Sequence, residues 1–209
     1  MKLTLKEGKN NKLHIMLDGS YAMTADMDFA ALYGLRSGME LEAEQLDELE
    51  SAVNARRAFN KATELLSRRG HSEKELLLKL RQKGYADGAE QAIEKLKGYG
   101  YVDDRCFAQS FAGELKRLKH FGKRRIEQEL MKKGVDRSII VETLEEMEFD
   151  AEELVELINR KYYRNLNDEK GIQKTINALI RAGYTFYQIR DAMRIVEEER
   201  DAEGELENE

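Results

Sequence analysis

The 209-residue chain contains no proline, although average usage of about 5% would supply roughly ten. This absence argues against proline-punctuated β-sandwiches, PxxP ligands and stiff proline-rich linkers, and it favours helices. The single cysteine, Cys106, excludes an intramolecular disulfide. No run of about 18 apolar residues occurs, and no positively charged, apolar leader opens the chain. We therefore expect a protein of the reducing cytoplasm that is not embedded in a membrane.

Charged residues make up 36% of the chain, but their signs are unevenly distributed. Residues 55–134 carry 20 Lys and Arg against 11 Asp and Glu, whereas residues 1–54 carry 5 against 10. Residues 197–209 carry one Arg against eight carboxylates, which predicts a frayed helix end or a disordered acidic tail. The basic middle suits a polyanion or an acidic protein surface, and the competing interpretation is an ordinary solvated helix face.

The first forty residues predict β-structure, and the rest predicts helices. Short β-prone runs at 3–5 and 13–17 are separated by a turn-rich stretch, and Asp18-Gly19 offers a second turn, so we expect a hairpin or a small meander. From Glu42 to about Arg68, apolar residues recur at helical spacing.

Two further helices are expected to begin after polar caps. Ser72 and Asp87 are each followed three residues later by a glutamate, which is the pattern of a capping box. Gly84 is expected to end the first of these helices.

Self-similarity is the strongest organisational signal. Gly84, Gly134 and Gly183 lie 50 and 49 residues apart, and each follows a leucine by four residues. This period predicts three tandem three-helix repeats that stack into an elongated, curved, mainly α-helical solenoid after a small N-terminal β-hairpin or meander. The expected domains are a β extension (1–41), a leading helix with the first repeat (42–104), the second repeat (105–149), the third repeat (150–199) and an acidic tail (200–209).

No motif indicates catalysis. The three histidines are not spaced with each other, with Cys106 or with carboxylates as metal ligands, so we predict no metal site and no cofactor. Phosphate-binding and nucleophile-elbow glycine motifs are absent from the sequence. Asp103-Asp104 resembles a catalytic pair but stands where a helix needs a cap, so we assign no catalytic residues.

Basic clusters are the better candidates for a functional surface. They flank helix ends or polar helix faces in the first two repeats, and we predict that they form one stripe that binds a phosphate backbone or an acidic protein. Helix-end cations also have a structural role, since they oppose the helix dipole. The candidate residues are Arg68, Arg69, Lys79, Arg81, Lys83, Lys116, Arg117, Lys119, Lys123, Arg124, Arg125, Lys132 and Lys133.

Several of these stretches resemble the RecX family. Arg69-Gly-His-Ser-Glu-Lys-Glu-Leu76, Leu80-Arg-Gln-Lys-Gly-Tyr85 and Gly100-Tyr-Val-Asp-Asp104 are similar to its first repeat, and Gly122-Lys-Arg-Arg-Ile-Glu-Gln-Glu-Leu130 is similar to its second. The resemblance covers roughly residues 56–196. The chain departs from the pattern in two places: the first copy is two residues longer after Gly84, and Ala182 replaces a basic residue before Gly183.

The resemblance implies a non-enzymatic, cytoplasmic monomer that regulates the RecA recombinase negatively in homologous recombination and the SOS response. It also implies binding in the groove of the RecA filament on single-stranded DNA, which reduces filament growth, ATPase activity and strand exchange. The alternative is a transcriptional regulator, in which residues 72–97 form a helix-turn-helix that reads duplex DNA. The glycine between those helices recurs in all three copies, which a single recognition motif does not require.

Overall fold

The computed structural model describes the backbone of residues 1–206 and the side chains of residues 1–202. It begins with an antiparallel three-stranded meander in the order β1-β2-β3. The strands are β1 (Leu3–Glu7), β2 (Lys12–Leu17) and β3 (Ser20–Asp26). Asp18 and Gly19 both have positive φ, at 47° and 83°, which matches the twist of a two-residue hairpin turn. The predicted meander is confirmed.

The sheet is stable because it packs on helices. A short helix, α1 (Met27–Leu32), starts where the Asp26 carboxylate accepts a hydrogen bond from the Phe29 N–H at 2.7 Å. Leu3, Ile15 and Phe29 then form a buried cluster with Leu49 and Val53 of the next helix. The sequence pattern did not predict α1, because six residues are too few to show a helical period.

The first repeat follows the predicted plan. Its helices are α2 (Ala43–Leu66), α3 (Glu73–Gln82) and α4 (Ala89–Gly98). Ser72 caps α3 as predicted, since its hydroxyl accepts from the Glu75 N–H at 3.1 Å. Leu76 and Leu80 are buried against Ile93 and Leu96 of α4.

The cap predicted for α4 is wrong. Gly88, and not Asp87, is the N-cap residue, with φ of 82°. A Cβ atom on Gly88 would lie 2.4 Å from the backbone nitrogen of Ala55, so α4 begins where its backbone touches α2. This position requires glycine for the close approach, and a capping side chain has no room there.

The second and third repeats form the rest of the chain. The second contains α5 (Asp104–Lys119), α6 (Lys123–Lys133) and α7 (Arg137–Glu145). The third contains α8 (Ala151–Tyr162), a 3₁₀ turn (Tyr163–Asn167), α9 (Glu169–Ala182) and α10 (Phe186–Leu206). Part of the predicted acidic tail therefore continues α10, and residues 207–209 lie outside the described residues.

All three repeats share one hydrogen-bonded turn. Gly84, Gly134 and Gly183 have φ of 80°, 78° and 97°. After each glycine, the next backbone N–H donates to the carbonyl of the leucine four residues before that glycine, at 2.9, 3.3 and 3.1 Å. These leucines, Leu80, Leu130 and Leu179, are fully buried. The bonds are those of a Schellman cap, and they confirm the repeat read from the glycine spacing.

The second and third repeats contact each other through backbone atoms. Gly122, the N-cap residue of α6, donates its N–H to the Ala182 carbonyl at 2.8 Å. A Cβ on Gly183 would lie 2.4 Å from the Arg125 nitrogen, and one on Gly122 would lie 2.8 Å from the Gly183 carbonyl carbon. The N-terminus of α6 is thus pressed against the C-terminus of α9.

The chain divides into two compact units, residues 1–103 and 104–209. The first unit contains the sheet and the first repeat, and the second contains the other two repeats. The finer domain boundaries remain predictions, as does the curved overall shape. Of the helices described, none is long and apolar enough to cross a membrane.

Candidate functional site

The thirteen predicted basic residues divide between the two units. Five lie in the first unit, at positions 68–83, and eight lie in the second, at positions 116–133. That the two groups form one stripe stays a prediction, so each group is described within its own unit.

Most of the five cations in the first unit are bound by carboxylates. Arg68 contacts Glu64 at 2.7 Å, one helical turn away. Both terminal guanidinium nitrogens of Arg69 contact the Glu75 carboxylate, at 2.8 and 2.9 Å. Arg81 is paired with Glu90. These three side chains therefore hold the turns and helices of the first repeat to one another.

Glu75 is the centre of a small buried network. His71 Nδ1 lies 2.7 Å from its second oxygen, while Arg69 binds from the solvent side. Burial lowers the pKa of His71 below its ordinary 6.5, although the hydrogen bond to Glu75 acts to raise it. Arg69 is thus part of the structure that positions α3.

Lys79 and Lys83 complete the group in the first unit. Neither forms a salt bridge with any residue that the structure describes. Both lie at the C-terminal end of α3, where a cation opposes the negative end of the helix dipole. Their position suits either a structural role or a binding role.

In the second unit, cations gather where α5 turns into α6. Only residues 120–122 separate the two helices, and His120 has a positive φ of 52°. Four exposed side chains at this turn form no salt bridge within the described part of the chain, and we call them the basic turn: Arg117, Lys119, Lys123 and Arg124. None of these four side chains is therefore held in a close ion pair with a carboxylate of the described chain.

The other four cations of the second unit have partners. Lys116 binds Glu153 of α8 at 2.8 Å, and Lys132 binds Glu129 at 2.9 Å. Lys133 lies over the Phe111 ring, with its nitrogen 5.6 Å from the ring centre. The Lys116 and Lys133 contacts join helices, whereas the pair of Lys132 and Glu129 lies within α6.

Arg125 is both a structural residue and part of a cleft. It pairs with Glu129 at 2.8 Å, and its guanidinium lies 5.4 Å from the centre of the Phe121 ring. Its Nε is buried and has no hydrogen-bond partner among the described residues. The backbone nitrogen and Cβ of Arg125 also lie against Gly183, so Arg125 is part of the junction between the two repeats.

A cleft of about 370 Å³ lies next to the basic turn, between the second and third repeats. Four cations line it, and no carboxylate of the described residues does so: Lys119, Arg125, Lys161 and Arg181. We call this site the repeat cleft. Like charges concentrated in a concave site create a positive potential that attracts anions.

The charge pattern of the sequence did not predict Lys161 and Arg181 as site residues. They come from α8 and α9 of the third repeat, where residues 153–196 carry only 8 Lys and Arg against 5 Asp and Glu. Arg181 lies two residues before Gly183. The third repeat has Ala182 in place of the basic residue that precedes the glycine in the other repeats, but it keeps a cation at the neighbouring position 181. The signal that could have identified Arg181 is the matching position Lys132 in the second repeat.

His120 lies at the edge of the repeat cleft and is held from the third repeat. Its Nε2 accepts a hydrogen bond from Arg160 at 2.7 Å, since a guanidinium can only donate. Its carbonyl accepts from the Tyr184 hydroxyl at 3.2 Å. Burial raises the pKa of Tyr184 to about 12, so this hydroxyl keeps its proton. The basic turn is therefore fixed in place by side chains from the next repeat.

Comparison with known proteins identifies relatives over most of the chain. The family model described as RecX, first three-helix domain, matches residues 58–96, and that of RecX, second three-helix domain, matches residues 103–144. All thirteen predicted basic residues lie within these stretches.

Two full-length relatives carry the same name. A regulatory protein RecX from Caldanaerobacter subterraneus subsp. tengcongensis is 34% identical over 91% of this chain and 96% of that protein. A regulatory protein RecX from Bacillus velezensis is 32% identical over 99% of this chain and 80% of that protein. A crystal structure of a regulatory protein RecX has the same fold, with a TM-score of 0.65 at 23% identity over 94% of this chain and 98% of that one.

Proposed function

This chain belongs to the RecX family, and from that premise we propose that it is a non-enzymatic regulator that binds the RecA recombinase filament on single-stranded DNA. It acts in the cytoplasm as a monomer, lies in the filament groove, and inhibits filament growth, ATPase activity and strand exchange. The name of the relatives, regulatory protein, supports the regulatory role. The observation that carries the proposal is the set of unpaired cations in the second unit.

The basic turn and the repeat cleft suit a polyanion. A phosphate backbone binds when lysine and arginine replace its counterions, and this binding does not depend on base sequence. A regulator that must bind any filamentous complex, whatever its DNA sequence, needs this kind of contact.

The helix-turn-helix alternative finds less support. In that function α4 would enter the major groove, and its cations would have to reach DNA. Lys97 is instead bound by Glu73 at 3.1 Å and by Glu94 at 3.0 Å, and Lys95 lies over the Phe59 ring. The cations of α4 are therefore already engaged in contacts with residues of the first repeat.

The test is the recombinase ATPase on single-stranded DNA, titrated with the protein and its variants. Lys123→Glu with Arg124→Glu should weaken inhibition by about tenfold at low salt, and the difference should shrink as salt rises. Both positions lie in the first turn of α6, where a negative charge interacts favourably with the helix dipole. The substitutions should therefore leave the fold intact.

A matched control reverses the same charge elsewhere in the second unit. Arg137 and Lys170 lie in the first turns of α7 and α9 and outside the basic turn. Arg137→Glu with Lys170→Glu should inhibit like the unmodified protein. Equal inhibition by the Lys123/Arg124 variant would remove the basic turn from the mechanism, and sequence-specific retardation of duplex DNA without recombinase would favour the transcriptional alternative.

A further inference from the structure

A groove of about 760 Å³ lies in the first unit between α1, α2 and α4, far from the basic residues of the second repeat in sequence. We call it the apolar groove. Its floor consists mainly of small or aromatic side chains: Phe29 of α1, Ala52, Ala55 and Phe59 of α2, and Ala92 of α4. The volume falls in the range of about 300–1,000 Å³ that is typical of binding sites. Because alanines form much of the floor, the groove can accept an apolar side chain from another molecule.

One wall of the groove exposes apolar surface. Leu32 is 81% exposed and Tyr33 is 49% exposed. The Tyr33 ring stacks on Phe29, with centroids 4.2 Å apart, so its orientation is fixed. A single exposed leucine needs no explanation, but two adjacent apolar side chains that wall a concave apolar site indicate a contact surface.

The groove is formed before any partner binds. The Gln91 side chain donates to the Ser51 hydroxyl at 3.2 Å, which ties α4 to α2 along the groove. Arg56 is held by Asp26 at 3.0 Å, and Lys95 lies 5.4 Å from the centre of the Phe59 ring. The two cations that line the groove are therefore engaged with residues of the same unit.

The acidic groups that line the groove have no such partners. Asp28, Asp47 and Glu48 form no salt bridge with any described residue. They would repel the phosphates of a nucleic acid, and they would attract lysine or arginine. The site thus selects an apolar side chain that is flanked by basic residues.

We propose that the apolar groove docks a segment of the recombinase subunit that presents an apolar side chain flanked by lysine or arginine. This inference rests on the proposed function, and it assigns the protein contact to the first unit. An apolar anchor in a preformed pocket with complementary charge at its edge is the usual arrangement of an interface hot spot.

The test measures binding to the recombinase without nucleic acid, so that only protein contacts contribute. Fluorescently labelled protein is titrated with recombinase, and anisotropy gives the affinity. Leu32→Ser with Tyr33→Ser should weaken binding by about tenfold or more, because the variant removes the apolar wall. Asp47→Lys with Glu48→Lys should weaken it by about threefold to tenfold, and less at high salt.

Matched controls make the same kinds of substitution at positions outside the apolar groove. Leu78→Ser alters a leucine of α3 that is 49% exposed and outside the groove, and Glu7→Lys with Glu50→Lys reverses two exposed charges that do not line it. Both controls should bind like the unmodified protein. Because Tyr33 also packs on Phe29, Leu32→Ser alone is the variant least able to disturb folding, and thermal melts should be used to check that it folds.

The outcomes separate this inference from the proposed function. If the unmodified protein does not bind the recombinase with or without DNA, the proposed function fails. If it binds and Leu32→Ser binds equally well, only the groove assignment fails. A self-association of the protein that Leu32→Ser abolishes, seen by sedimentation, would overturn the assignment in favour of a second copy, whose exposed Leu118 lies between Arg117 and Lys119.

Discussion

The two units use their positive charge in different ways. In the first unit, Arg68, Arg69 and Arg81 are bound by carboxylates, and the concave surface is apolar with acidic edges. In the second unit, the basic turn is unpaired and the adjoining repeat cleft contains no carboxylate of the described residues. Basic composition alone therefore does not identify a binding surface, because the position of the nearest carboxylate decides whether a cation is available to a ligand.

This contrast suggests a division of roles. Cations that are neutralised within the protein stabilise its helices, and they contribute little to a long-range field. Cations without partners keep their field and release counterions when they meet a polyanion. We expect the second unit to contact the nucleic acid or an acidic surface of the filament, and the first unit to contact protein.

The largest expected effect concerns the junction that supports the basic turn. Gly183→Ala places a Cβ against the Arg125 backbone at 2.4 Å in a left-handed conformation, so we expect a loss of about 3 kcal/mol or more in the free energy of unfolding. Thermal unfolding and hydrogen exchange of residues 120–125 measure it.

Gly84→Ala is the control for this substitution in the first unit. Gly84 has a similar φ of 80°, but nothing lies within 4 Å of the added atom. It should cost only about 1 kcal/mol, which is the conformational penalty alone. Equal losses for the two variants would show that the repeats do not depend on the close approach of Gly183 to α6.

The next effect tests whether Arg69 is structural. Glu75→Gln removes the charge that binds Arg69 and His71 in a mostly buried site, and we expect a loss of about 1–3 kcal/mol in stability of the first unit. Chemical denaturation followed by hydrogen exchange of α3 measures it. No change in stability would mean that Arg69 is available for binding after all.

The pH dependence of the first unit follows from His71. Burial lowers its pKa, so as the pH falls below the ordinary value of 6.5 the unfolded chain binds a proton before the folded chain does. The corresponding stability is complete above that pH and decreases towards the lower pKa of the folded state. Thermal melts from neutral to mildly acidic pH should show this decrease, and His71→Asn should diminish it.

The smallest effect concerns the basic turn itself. Arg117→Gln and Arg124→Gln remove charges that have no salt-bridge partner in the described chain, so stability should change by no more than about 0.5 kcal/mol. A destabilisation above about 1 kcal/mol in denaturant melts would contradict the assignment of these residues to binding.

Much of the fold could be predicted from local sequence. The glycine period predicted all three capped turns, and Ser72 caps α3 as its local pattern predicted. Features that depend on distant contacts could not be predicted. Asp87 has the right residue type for a cap, but the proximity of Gly88 to Ala55 of α2 decides where α4 begins.

The site was predicted less completely for the same reason. Nothing local in the sequence distinguishes Arg69, which meets Glu75 across a turn, from Arg124, which meets no carboxylate of the described chain. Lys161 and Arg181 are 20 residues apart and join Lys119 only when α8 and α9 fold against the turn after α5. The sequence indicates where cations are abundant, and tertiary contacts determine which of them are paired.

The most direct test compares neutral variants of the two units in binding to recombinase filaments on single-stranded DNA over a range of salt concentrations. Arg117→Gln with Arg124→Gln should lower the slope of log K against log salt by about one per charge removed, or about two in all. Arg68→Gln with Arg81→Gln, which removes the same charge from paired sites, should leave the slope unchanged. A slope that falls equally for both variants, or for the Arg68 and Arg81 variant alone, would contradict the distinction between the units.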